Sequence, residues 1–287
     1  MKRYSIKHLL TTSPLASSRV FLSGLAFTFL SVFAMPAQAQ CTFRNTAFNG
    51  GENLTYNLYY NWKFVWVKAG TASMTTVSTV YQGKQAFRAS LTTRGNKKAD
   101  GIFVMRDTLL SYVSKDMAPL YYRKGAKEGE RYTVDEVFYS YPNGKAHVKQ
   151  HRMGNDRVHH WMEKTYSDCV YDMLSIFLRA RSFNPVGWKK GNVVEFPIVD
   201  GNSRDQARIR YQGKTNIKAD NNVKYRCLQL SYEEYTKGKW KEIVRFYVTD
   251  DQNHIPVRLD MFLRFGSAKA FLVSMKGQRN NVTSVVK

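Results

Sequence analysis

Leu54-Thr55-Tyr56-Asn57-Leu58-Tyr59-Tyr60-Asn61-Trp62-Lys63-Phe64-Val65-Trp66 carries a large apolar or aromatic side chain at every even position. Thr55, Asn57, Asn61 and Lys63 separate them, so the stretch has period two, that of a strand with one dry face and one wet face. It is long for a single strand, and a bend or turn is expected near Asn61. On this reading Tyr56, Trp62, Phe64 and Trp66 share the concave side of a curved sheet. That concavity is either closed by packed side chains, as in small barrels, or open to an apolar ligand.

The alternation returns at Val257, Leu259, Met261, Leu263 and Phe265, opposed by Arg258, Asp260 and Arg264. A hairpin precedes it: Phe246 to Thr249 forms one arm, Asp250 to Asn253 the turn, and Ile255-Pro256 opens the next strand, where proline is tolerated. Further turn signals stand at Gln82-Gly83, Pro142-Asn143-Gly144, Gly154-Asn155-Asp156, Asp200-Gly201-Asn202 and Lys237-Gly238. Their spacing predicts an all-β, mainly antiparallel meander, a curved sheet or incomplete barrel. One segment departs from it. Asp172 to Arg181 sets Met173, Leu174, Phe177 and Leu178 at helical spacing, with Asn184-Pro185 as the stop, which predicts one short amphipathic helix packed on the sheet. A shorter helical turn fits between Lys97 and Val104, and the polar tail from Gln278 is expected to fray.

Residues 1–39 read as an export signal. Lys2, Arg3, Lys7 and Arg19 make a basic leader, Val20 to Met35 an apolar run, and Ala37-Gln38-Ala39 a small-x-small cleavage pattern. The run is shorter than the roughly 20 apolar residues of a spanning helix and contains Ser23, Gly24, Thr28 and Ser31. The expectation is a periplasmic protein beginning at Gln40, with residues 40–287 as one domain. Gln40 stands where a lipoprotein would need a small residue before Cys41, so a lipid anchor is not expected.

The net charge is +22. A surplus of that size attracts polyanions, and an exported chain meets anionic lipid, lipopolysaccharide or acidic glycan rather than nucleic acid. Charge spread over many segments also serves solubility alone. Three cysteines, Cys41, Cys169 and Cys227, permit at most one internal bridge. The expectation is a bridge between Cys169 and Cys227, with two buried free thiols as the alternative.

Four stretches resemble an exported bacterial family catalogued as domain of unknown function 3108, particularly its Bacteroides-like members. They are Gly51 to Tyr56 followed by Ala69-Gly70-Thr71-Ala72; Arg106 to Tyr112; Tyr171 to Ser175 with Arg179 or Arg181; and Phe246 to Gly277. In the last, Ile255-Pro256-Val257 and Phe265-Gly266-Ser267-Ala268-Lys269-Ala270 are the most specific. Met173 departs from the family, where proline is common. The resemblance implies an exported antiparallel β protein with a helix against the sheet. It implies no activity and carries over no catalytic residue.

No strong catalytic motif stands beside this. Asp107, Asp172 and Ser175 are weak candidates for a hydrolase or transferase acting on glycan or lipid. Asp172 at a helix start suits an N-cap, and Ser175 sits in no Gly-x-Ser-x-Gly elbow. Asp107 is expected to pair with Arg106 or Arg94, or else to be a buried acid. The histidines do not form a metal set: on a strand His147 and His151 stand about 13 Å apart, and His159 and His160 face opposite ways. No cofactor is implied.

The leading expectation is a non-enzymatic envelope protein that binds an amphipathic anionic molecule or scaffolds envelope assembly. Tyr56, Trp62, Phe64 and Trp66 would take the apolar part, and Arg179, Arg181 and Arg258 the anion. An envelope protein partner, added along an exposed strand edge, is the remaining reading.

Overall fold

The computed structural model describes residues 41–62, 65–101, 104–263 and 266–287. The leader and cleavage point read at residues 1–40, together with Phe64, Arg264 and Phe265, lie outside them, as does the side chain of Trp62.

The alternating segments form strands Glu52–Trp62 (β1), Val65–Tyr81 (β2), Lys84–Gly95 (β3), Met105–Ser114 (β4), Pro119–Glu128 (β5), Arg131–Ser140 (β6) and Ala146–Met153 (β7). His159–Tyr166 (β8), Val193–Asp200 (β9), Ser203–Lys218 (β10), Lys224–Thr236 (β11), Lys239–Thr249 (β12), Pro256–Phe262 (β13) and Ser267–Lys276 (β14) complete the set. Helices cover Lys97–Asp100 (α1) and Met173–Ala180 (α2). All fourteen strands belong to one antiparallel sheet of order β8-β7-β6-β5-β4-β3-β2-β1-β14-β13-β12-β11-β10-β9. The turns read from the sequence join consecutive strands, including the Asp250 to Asn253 turn between β12 and β13.

Pairing of the first strand with the last leaves β8 and β9 as the two edges. The connection between them runs from one edge of the sheet to the other and contains α2, so the helix lies across the inner face. Register slips at Leu58/Tyr59, Tyr112/Val113, Tyr211/Gly213 and Tyr232/Glu233 bend the strands and coil the sheet around the helix. The sheet does not close by strand pairing. Its far ends meet through side chains: Gln150 of β7 donates from Nε2 to the carbonyls of Gly201 (2.6 Å) and Ser203 (3.1 Å) in the β9–β10 hairpin.

Leu54, Leu58, Val113, Val137, Val148, Val257 and Leu272 meet Leu174 and Leu178 of α2 in the principal core. Burial of each such side chain contributes about 1.5–3 kcal/mol. Ile176, on the other side of α2, joins a second cluster with Phe196, Ile198, Ile209 and Tyr232 from β9 to β11.

Two expectations are corrected. The disulfide joins Cys41 to Cys169, and Cys227 is a buried free thiol whose pKa burial pushes up to about 12. Cys227 lies within β11, facing the core; Cys169 lies in the β8–α2 connection, over which the segment before β1 passes. The tail from Gln278 is not frayed either. Ser284 O accepts from Arg226 N (2.7 Å), Val286 N donates to Lys224 O (2.8 Å), and Asn280 N donates to Asn253 Oδ1 (2.9 Å).

Candidate functional site

Helix α2 is fixed at its start by a reciprocal cap. Asp172 Oδ1 accepts from Leu174 N (3.0 Å) and Ser175 N (2.8 Å), while Ser175 Oγ accepts from Asp172 N (3.0 Å). With Leu174 and Leu178 committed to the core, Met173, Ile176, Phe177 and Ala180 face strands β10 to β12 across a cleft. The far wall is built by strand alternation: Ile209 from β10, Leu228, Leu230 and Tyr232 from β11, and Val244, Phe246 and Val248 from β12. The slip that pairs Tyr232 with Val244 but Glu233 with Glu242 leaves Ile243 unpaired, and Ile243 and Val244 both line the cleft.

The third wall is the loop after α2, with Phe183, Pro185 and Trp188. Val186 N donates to Asn184 Oδ1 (3.1 Å) and Trp188 N to Pro185 O (3.0 Å), a turn that brings the indole edge-on to Tyr211 at 5.9 Å. Phe177 and Phe246 meet across the cleft with centroids 6.0 Å apart.

The cleft has a volume of about 120 Å³ and an almost wholly apolar surface. Apolar cavities of roughly 150 Å³ stay dry and take up benzene, so this space suits a ring or a short length of acyl chain. Its polar members are Glu234, Arg181 and His254. Burial raises the Glu234 carboxyl above its ordinary value. His254 Nδ1 donates to Arg181 O at 2.5 Å, and burial lowers its pKa. Met173 at the helix start and Val186 in the loop remain exposed.

Ile176, Phe183 and Trp188 also line a second recess of about 440 Å³ on the other flank of the helix. Phe43, Tyr171, Arg179, Glu195 and Phe196 are among its other walls.

The structure disperses the residues selected from the sequence. Tyr56 is buried in the principal core, where its hydroxyl donates to Pro256 O at 3.1 Å and burial raises its pKa. Trp66 is on the opposite face from Tyr56. The slip between Leu58/Gly70 and Tyr59/Lys68 leaves Ala69 unpaired, so Trp66 lies across from Asn61 on the outer side, under Lys269 Nζ at 4.0 Å. Arg181 is sealed in an ion pair with Glu52, and Arg258 forks onto Asp260 with two contacts of 2.7 Å between Tyr247 and Phe271. Neither guanidinium is offered to a ligand. Arg179 lines the second recess and, unlike Arg181 and Arg258, has no carboxylate partner among the described residues.

Asp172 and Ser175 are fully buried and engaged in the cap. Tyr139 donates to Asp172 Oδ2 at 3.3 Å, and burial pushes the Asp172 pKa up to about 6. Asp107 does not pair as expected, because Arg106 binds Asp100 instead. Its Oδ1 has no hydrogen bond, and burial followed by the Glu128 charge raises its pKa to about 6. His151 bridges Glu136 and His159 on the outer face, at 2.8 Å each. Among the described residues no group of three or more His, Cys, Asp or Glu side chains could hold a metal.

Sequence reasoning missed the cleft residues on β11 and β12, although Leu228, Leu230 and Tyr232 alternate as plainly as the opening strand. Only the position of Ile243 had no signal, because a bulge is set by pairing.

The fold resembles that in the "Crystal Structure of Beta-barrel-like Protein of Domain of Unknown Function DUF1849 from Brucella abortus", at 10% identity and a TM-score of 0.53, covering 84% of this chain and 100% of that one. No curated protein matches the chain. The model of the family described as "Protein of unknown function (DUF3108)" matches residues 55–273, which takes in the cleft, α2 and nearly the whole sheet, and the chain belongs to that family.

Proposed function

We propose that this is a non-enzymatic protein of the bacterial envelope that holds the apolar part of an amphipathic molecule in the cleft between α2 and β10 to β12. The observation that carries this reading is the cleft itself, walled on three sides by apolar side chains, with Met173 exposed at its edge. A contiguous apolar recess of this kind is the usual form of a small-molecule site. The net charge of +22 favours an anionic amphiphile over a neutral one. Export to the periplasm is supported by the leader read in residues 1–39 and by a disulfide, which persists in an oxidising compartment. The hydrolase alternative lacks support, since Asp172 and Ser175 have no exposed surface at which a substrate could meet them.

The test is a native mass spectrum of the protein taken from its own envelope, compared with a denaturing one. A mass excess lost on denaturation is expected, and Ala180→Phe, which fills the cleft from the helix side, should remove it. An excess that survives this substitution in a folded protein, or none in the parent, would count against the cleft.

A further inference from the structure

Arg179 differs from the other partly buried arginines. Arg208 and Arg210 share Glu233, Arg245 binds Glu242 and Arg258 binds Asp260. Arg179 has no ion pair among the described residues. Its one hydrogen bond goes from Nη1 to Cys41 O at 3.1 Å, and its guanidinium stacks on Phe43 (4.4 Å) and Tyr171 (5.2 Å). Burial lowers its pKa and only the Tyr171 and Tyr141 hydroxyls act against that, so no carboxylate offsets the lost hydration. A guanidinium presents five donors in a fixed fork suited to oxyanions, and here most of them remain unused.

The surroundings indicate what would satisfy them. The recess is walled chiefly by aromatic and aliphatic groups, and its one carboxylate, Glu195, is turned toward Arg208 at 3.8 Å. Ile176, Phe183 and Trp188 belong to both the recess and the apolar cleft. The disulfide holds the carbonyl and ring that position Arg179, since Cys41 and Phe43 come from the segment it ties to Cys169.

We propose that Arg179 binds the phosphate or carboxylate head group of the amphiphile whose apolar part passes over Ile176, Phe183 and Trp188 into the cleft. This rests on the cleft reading above and adds the ligand's charge and orientation. Phosphate and carboxylate share the bidentate oxyanion edge that a guanidinium fork recognises.

The experiment is calorimetric titration of the disulfide-intact chain with decyl phosphate, decanol and inorganic phosphate, in the parent, Arg179→Gln and Ala180→Phe. Decyl phosphate should bind the parent more tightly than decanol, and inorganic phosphate far more weakly than either. Arg179→Gln should weaken decyl phosphate by about 10- to 100-fold, the size of a lost charge-assisted contact. Its decanol affinity should stay within about twofold of the parent, which also shows that the variant is folded. Unchanged decyl phosphate binding in Arg179→Gln overturns the anchor while leaving the cleft standing, provided Ala180→Phe still abolishes decanol binding. Decanol and decyl phosphate both failing to bind the parent would overturn cleft and anchor together. Arg179-dependent inorganic phosphate binding as tight as that of decyl phosphate would make this a free-oxyanion site and overturn the amphiphile.

Discussion

Arg181 donates from Nη1 and Nη2 to the two carboxylate oxygens of Glu52, at 2.5 and 2.8 Å, and both side chains are shut off from solvent. Nε and Nη2 also reach Asn253 O, at 3.1 and 3.0 Å, so one guanidinium ties the end of α2 to the start of β1 and to the β12–β13 turn. Desolvation of two charges offsets most of their attraction, and the consequence is asymmetric. Glu52→Gln should lower stability by about 3–5 kcal/mol, because it leaves the guanidinium buried and uncompensated. Glu52→Leu combined with Arg181→Met should lose less than either single change. Urea unfolding of Glu52→Gln, the two single changes and the double variant checks this, and strictly additive losses would contradict it.

The Cys41–Cys169 disulfide spans 128 residues of sequence, so it restricts the unfolded chain strongly. Loop-closure entropy for such a span corresponds to about 4–5 kcal/mol, of which real proteins commonly show 2–4. Reduction should therefore lower Tm substantially and free Phe43 to leave Arg179. Calorimetry with and without reductant measures the first effect, and a Tm unchanged after complete alkylation of both thiols would exclude it.

The strands and their turns were legible because period two and the Gly, Asn and Asp turns are local signals. Asp250 to Asn253 and Asp172 both fall where the sequence puts them. Trp66 was misassigned for a non-local reason: the slip that leaves Ala69 unpaired inverts the face of everything before it in β2, and no alternation count contains that slip. Arg181 and Arg258 looked available as anion contacts because their partners, Glu52 far away in sequence and Asp260 two residues on, are chosen by packing. The disulfide was equally hidden, since spacing says nothing about which strand face a cysteine occupies. The cleft suffered most from this. It uses the alternating faces of β11 and β12, which were as readable as β1 but acquire meaning only when α2 is laid across them.

Asp172 is held protonated more easily than an ordinary carboxyl, with burial raising its pKa to about 6. Between about pH 4 and 6 the folded state binds a proton that the unfolded state has released, so stability is greatest at the acid end and falls as pH rises through this window. A shift of this size corresponds to roughly 3 kcal/mol. Asp107, raised in the same direction, adds to the trend. Asp172→Asn keeps a capping oxygen and cannot ionise, so its stability should depend less steeply on pH across this window. Asp172→Ala should instead lose about 1–2 kcal/mol with the cap. Chemical unfolding at pH 4, 5, 6 and 7 distinguishes the two, and parallel pH profiles for parent and Asp172→Asn would refute the assignment.

Gly201 and Gln150 test whether the sheet's two ends are held by side chains alone. Gly201 has φ +54° and opens the two-residue turn between β9 and β10, the position where a type II′ turn requires a left-handed residue. A Cβ there would lie 2.5 Å from Arg152 Nη1 and 3.2 Å from Asp135 Oδ1. The guanidinium is the end of a flexible side chain and can swing away, so Gly201→Ala should cost mainly the left-handed backbone, about 1–2 kcal/mol. Gln150→Leu acts differently: it keeps the bulk but strands the carbonyls of Gly201 and Ser203, at about 1–3 kcal/mol. Because no strand ladder joins β8 to β9, this second loss should appear as faster amide exchange in β9 and the adjoining half of β10, with β1 and β14 still protected. Exchange that rises uniformly over the whole sheet would mean that the two ends have no separate closure, and that Gln150 is simply one more core residue.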